Sequence, residues 1–204
     1  MTRFALCACA ALSGALFSFQ SAQAAVVVLN GGMGQICYEM TRAVSKGEDV
    51  LPIQLTGSLI GISPLQVCTM AVTSNELAGH DLAGTYNNRG VLYFIDQKFN
   101  EAIADFDQAR RLDPDIAEVH VNLGASMVAL HRWAEGLAAL NRGIEMEPAE
   151  IEKAYYNRAI ANEELGHVKE AYLDYLKASE LKPDWEQPKM QLTRFTVRKA
   201  GEGK

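Results

Sequence analysis

Four cysteines and four histidines are the side chains of this 204-residue sequence best suited to attack a carbon or hold a metal. Their spacing serves neither purpose. There is no Cys-x-x-Cys, and His80, His120, His131 and His167 are scattered along the chain. No GxSxG elbow, HExxH helix or phosphate-cradling glycine loop occurs. Gly31-Gly32-Met33-Gly34 follows only a short Val-Val-Val-Leu run and lacks dinucleotide-binding spacing, so it reads as a flexible lead-in. The sequence therefore predicts no catalytic residues, no metal and no cofactor.

Two of the cysteines, Cys7 and Cys9, fall in a segment with its own logic. Residues 1–24 carry basic Arg3, an apolar stretch from Phe4 to about Phe19, and the small-residue run Ala22-Gln23-Ala24. That is the pattern of a secretory signal with cleavage after Ala24. The apolar run is short and alanine-rich for a membrane span, which needs about 20 apolar residues. The expected product is a periplasmic or secreted protein with no membrane span after cleavage.

Cys37 and Cys68 then remain. In an oxidising compartment an even pair is most simply a disulfide, and the competing reading is a reactive or metal-binding pair. Without CxxC or a histidine nearby, the bridge is favoured. Gln35 to Lys46 reads as one helix, and Ser63-Pro64 opens a second, running to about Asn75. The bridge would staple them into a hairpin within 25–82.

Farther along, Arg89 with Asp105 and Arg158 with Asp174 recur at matching places, each pair 16 residues apart. Between them the pattern lapses together, to Leu123 and Ala139. This co-variation inside one chain predicts structural ion pairs, each arginine fork meeting a carboxylate. Asn88, Asn122 and Asn157 also repeat, and helix preference does not explain asparagine.

Stepping in register with these residues, Pro114, Pro148 and Pro183 lie 34 and 35 residues apart. Each closes a block: 83–116, 117–150 and 152–185. The fourth residues are Tyr86, His120 and Tyr155, and the eighth are Gly90, Gly124 and Ala159. The twentieth are Ala102, Gly136 and Ala171, the twenty-fourth Phe106, Leu140 and Tyr175, and the twenty-seventh Ala109, Gly143 and Ala178. Large residues recur at helical spacing, and small ones fall where two helices must approach closely. Each block predicts two antiparallel helices: 83–96 with 99–111, 117–130 with 133–146, and 152–165 with 168–181.

This order of large, small, aromatic and proline positions resembles the tetratricopeptide repeat family over about half the chain. The resemblance implies an all-α, right-handed superhelix of three helix–turn–helix units. The N-terminal hairpin would precede it, and a C-terminal capping helix with a basic tail, 186–204, would close it. It further implies a concave groove lined by the first helices, here Asn87, Asn88 and Val91, then Asn122 and Ala125, then Lys153, Tyr156, Asn157 and Ile160. An amide both donates and accepts, so such a row suits the main chain of an extended peptide. The alternative use is bridging successive helices. The family's clamp for terminal carboxylates is met at only two of five positions, Asn122 and Lys153. Asn87, Val91 and Asn157 depart from it, so internal or extended segments fit better.

Charge points the same way. Without Arg3 there are 18 basic and 25 acidic residues, with 11 and 19 respectively in 83–187, and 5 and 1 in 188–204. An acidic body lacks the basic stripe that neutralises phosphates, so no nucleic-acid partner is expected. The apolar stretch 50–62 is expected to pack on the hairpin, occlude the groove or meet a partner. The sequence thus predicts a non-enzymatic, exported adaptor that binds a protein or peptide. The alternative is a structural or self-associating subunit whose groove is filled by its own termini or another copy.

Overall fold

A computed structural model describes residues 4–8, 32–48 and 62–199. Most of the expected signal segment, and 50–61 of the apolar connection, lie outside the described residues. Among the described residues, the first element is a short strand, β1 (Phe4–Ala8), followed by nine helices. These are α1 (Met33–Ser45), α2 (Pro64–Thr73), α3 (Gly79–Ile95), α4 (Phe99–Leu112), α5 (Ala117–Ala129), α6 (Trp133–Glu145), α7 (Ile151–Glu164), α8 (Val168–Leu181) and α9 (Glu186–Leu192). A strand β2 (Phe195–Lys199) ends the described chain and pairs antiparallel with β1, Leu6 opposite Val197.

Helices α3–α4, α5–α6 and α7–α8 form three antiparallel hairpins, and each hairpin packs on the next. The reason is local. Large residues from each second helix, Phe106, Leu140 and Tyr175, are wholly enclosed, each such burial being worth about 1.5–3 kcal/mol. Small residues let the first helix approach them. A Cβ on Gly90 would stand 2.6 Å from the Phe106 ring. In the middle hairpin the approach is closer still: a Cβ on Gly124 would meet Leu140 at 2.6 Å and the Gly136 carbonyl at 3.0 Å. The glycines that replace alanine there are set by backbone contact between α5 and α6.

The turn within each hairpin is the same motif three times. Gln97, His131 and Gly166 are left-handed, with φ of 59°, 59° and 78°. In each case two amides return to the last turn: Lys98 N to Tyr93 O, Arg132 N to Met127 O and His167 N to Asn162 O at 2.8–2.9 Å, with the preceding amide bonding one residue later. This closing pattern satisfies carbonyls that a helix end leaves bare.

Ahead of the repeats, Cys37 of α1 is bonded to Cys68 of α2, with Cα atoms 4.8 Å apart. Both sulfurs are enclosed beside Met40, Val67 and Leu92 of α3, so the stapled hairpin docks onto the first repeat. Closing 31 residues of separation stabilises by roughly 3–4 kcal/mol in the chain-entropy description. Ser63 and Gln66 cap α2 reciprocally, Ser63 Oγ accepting from Gln66 N and Gln66 Oε1 from Ser63 N.

Two expectations need correction. The first repeat helix begins at Gly79 rather than 83, its start tied by His80 Nδ1 to Asp113 Oδ2 at 2.7 Å. The C-terminal capping helix does not run to the end of the chain. It stops at Leu192, and the β-branched residues Thr196 and Val197 continue as extended strand.

Candidate functional site

The first helices α3, α5 and α7 stand side by side, and their shared face carries the predicted groove row. The structure encloses this row. Asn87, Asn88, Val91, Asn122, Ala125, Tyr156, Asn157 and Ile160 are each 2% exposed or less. Lys153 alone among them stays partly open, with its ammonium 2.8 Å from Glu150.

The amides do more than line a wall. Asn122 Nδ2 donates to Asn87 Oδ1 at 2.9 Å, joining α5 to α3. Asn87 Nδ2 approaches Asn88 Oδ1 at 3.5 Å, and the Asn122 main-chain carbonyl accepts from Ser126 Oγ. This part of the row bridges successive helices. Asn157 differs. Its Nδ2 is fully enclosed and has no hydrogen-bond partner among the described residues. A buried amide left unpaired costs about 1–3 kcal/mol.

The two repeated pairs come together as forks. Arg89 Nε and Nη2 meet the Asp105 oxygens at 2.7 Å each. Arg158 Nε and Nη2 meet those of Asp174 at 2.8 and 2.7 Å. Both carboxylates are nearly enclosed. Burial lifts the Asp105 carboxyl above its ordinary value against the opposing pull of Arg89. The pair at Asp174 is extended by Asn162 Nδ2 at 3.1 Å, while Arg158 Nη1 reaches Asn141 on α6. That second fork therefore fastens α7 to the preceding hairpin as well as to α8. The arginines also lie over tyrosine rings, Arg89 on Tyr86 and Arg158 on Tyr155.

The histidines serve packing and turns. His120 is buried, with Nε2 2.9 Å from the Pro114 carbonyl. Among the described residues, no three His, Cys, Asp or Glu side chains converge as a metal site. No helix among them is long and apolar enough to cross a membrane.

The sequence sets Leu192 and Phe195 of the capping segment against the third repeat, and both pack there; what it does not show is the arrangement that receives them. Tyr156, Tyr172 and Tyr175 form an aromatic slot that receives Trp185 and Phe195. Glu163 Oε2 lies beside it, accepting from Tyr175 Oη at 3.1 Å and Arg194 Nη2 at 2.6 Å. Burial and the Glu163 charge push the Tyr175 phenol far above its ordinary range. The clue in the sequence was the pair of aromatics, Trp185 and Phe195, flanking so short a tail segment. Glu163 carried no signal of its own.

Comparisons with known proteins fit this geometry. A tetratricopeptide repeat model matches residues 83–116, and another matches 152–184. The chain is 33% identical over 89 residues to the STIP1 homolog of Dictyostelium discoideum, covering 44% of this chain and 16% of that one. It is 30% identical over 106 residues to the mitochondrial import receptor subunit TOM70 of Rattus norvegicus, covering 50% and 17%. Over 82 residues it is 30% identical to the peroxisomal targeting signal receptor of Saccharomyces cerevisiae, covering 40% and 13%. The chain thus spans less than a fifth of the length of these relatives. Among solved structures, the first tetratricopeptide domain of Spaghetti (RPAP3), bound to an HSP90 peptide, superposes with a TM-score of 0.54. The identity there is 24%, with coverage of 57% of this chain and 92% of that one. MamA superposes with a TM-score of 0.56 at 17% identity, covering 80% and 82%. Residues 83–116 and 152–184 thus match the tetratricopeptide repeat, and the described residues fold as a helical solenoid of the tetratricopeptide type.

Proposed function

We propose that this protein is an exported, non-enzymatic adaptor whose first-helix face holds an extended segment of another polypeptide. The observation that carries this reading is Asn157: an enclosed amide donor without an acceptor among the described residues. A main-chain carbonyl of an extended peptide is the acceptor such a donor fits, whatever side chains the peptide bears. Lys153, one helical turn earlier on the same face, adds a partly exposed cation at the edge. Relatives named as a targeting-signal receptor and an import receptor subunit support recognition of polypeptide segments. The buried disulfide supports an oxidising compartment, periplasmic or extracellular.

The enclosure of the row favours a second reading, in which the groove is closed by the protein's own parts or by another copy. The two readings separate experimentally. A photoreactive residue replacing Lys153, in the full chain and in its native compartment, should capture a discrete partner. Combining it with Asn157→Leu should abolish that capture. Capture that survives Asn157→Leu, or that yields only a second copy of this chain, would contradict the adaptor reading.

A further inference from the structure

The segment after the last repeat touches the third hairpin in an uneven way. Helix α9 has only seven residues and leaves Met190 65% exposed. The contacts concentrate instead at three points along Trp185–Phe195. Trp185 lies 4.9 Å from the Tyr156 ring. Arg194 is paired with Glu163, and Phe195 lies 5.7 and 6.0 Å from Tyr172 and Tyr175. Tyr156 and Ile160, in the third part of the groove row, share one apolar cluster with Trp185 and Phe195.

An arginine on a carboxylate and an aromatic ring against tyrosines are contacts that a bound peptide can supply as well as the chain itself. Here the occupant belongs to the same chain. We propose that residues 185–195 are an intramolecular occupant of this slot, and that a partner segment in which arginine precedes an aromatic residue docks by displacing them. The inference rests on the adaptor reading and gives it a gate: the third part of the row opens when the tail leaves. The chemistry of the occupant defines the competitor, since Glu163 selects the cation and Tyr172 with Tyr175 select the ring. A segment with acid in place of arginine would meet Glu163 with like charge.

The test uses a peptide spanning Met190–Lys199 and the full chain carrying Arg194→Glu together with Phe195→Asp. Hydrogen exchange across 186–195 should accelerate in the variant, and the peptide should bind it at least about ten-fold more tightly than the parent. That gain is what removing a competing conformation provides. Arg194→Glu alone, at a side chain 37% exposed, leaves the core intact and should give a smaller increase. Equal affinity for variant and parent would overturn the proposal. So would an unchanged exchange rate, or a freed tail with no peptide binding. None of these outcomes affects capture from Lys153, so the two readings can fail separately.

Discussion

At the scale of single residues, the glycines of the middle hairpin show how composition misleads when read as propensity alone. Gly124 and Gly136 look like weak points in helices, since glycine costs up to about 1 kcal/mol against alanine. In the structure the carbonyl of each stands 3.0–3.1 Å from where a Cβ on the other would sit. Backbone cannot yield as a side-chain tip can. Gly124→Ala should therefore destabilise by roughly 1–3 kcal/mol despite its better helix propensity, as read from the midpoint of urea unfolding. A stabilising Gly124→Ala would show that α5 and α6 are not in this contact. The Arg–Asp forks were legible at this scale because both members vanish together from the middle unit. Their bidentate geometry and the link from Arg158 to Asn141 were not, since a repeat position fixes a neighbour without fixing an atom.

Among the elements, the three hairpin turns were legible in position, at 97–98, 131–132 and 166–167, but not in conformation. Only Gly166 announces a left-handed residue in sequence. Gln97 and His131 take the same conformation because the tertiary contact between their helices outweighs the local penalty. Substituting the residue that prefers this conformation should recover the penalty. Gln97→Gly is expected to raise stability by up to about 1 kcal/mol in thermal or denaturant unfolding, and a loss would mean that the Gln97 side chain holds the turn by contacts of its own. Helix positions themselves were readable to within a few residues, since large and small positions repeat with the hairpins. The exception at α3 has a physical cause: the His80–Asp113 contact adds a turn that the repeat register does not encode. The C-terminal segment was only half legible. Its apolar residues signalled packing on the third repeat, but a strand pairing between chain ends distant in sequence leaves no local periodicity to read.

For the molecule as a whole, repetition made the architecture legible, and the same repetition left the groove ambiguous. An asparagine at one repeat position is compatible with bridging neighbouring helices or with reaching a ligand, and the structure divides the row between those uses. Asn122 bonds Asn87 across α5 and α3, whereas the Asn157 donor is enclosed without an acceptor among the described residues. No pattern in the chain distinguishes those fates, because they depend on which helix comes next. For Asn157 that is the short α9 segment rather than a fourth repeat.

An amide retained for a ligand is a burden to the protein that holds it alone. The most direct measurement is the unfolding free energy of purified Asn157→Leu against the parent, without any partner. Unchanged or increased stability, by up to about 1–3 kcal/mol, is the predicted result. A loss of about 2 kcal/mol or more would mean that Asn157 serves the fold, and the proposed grip on an extended chain would lose its anchor.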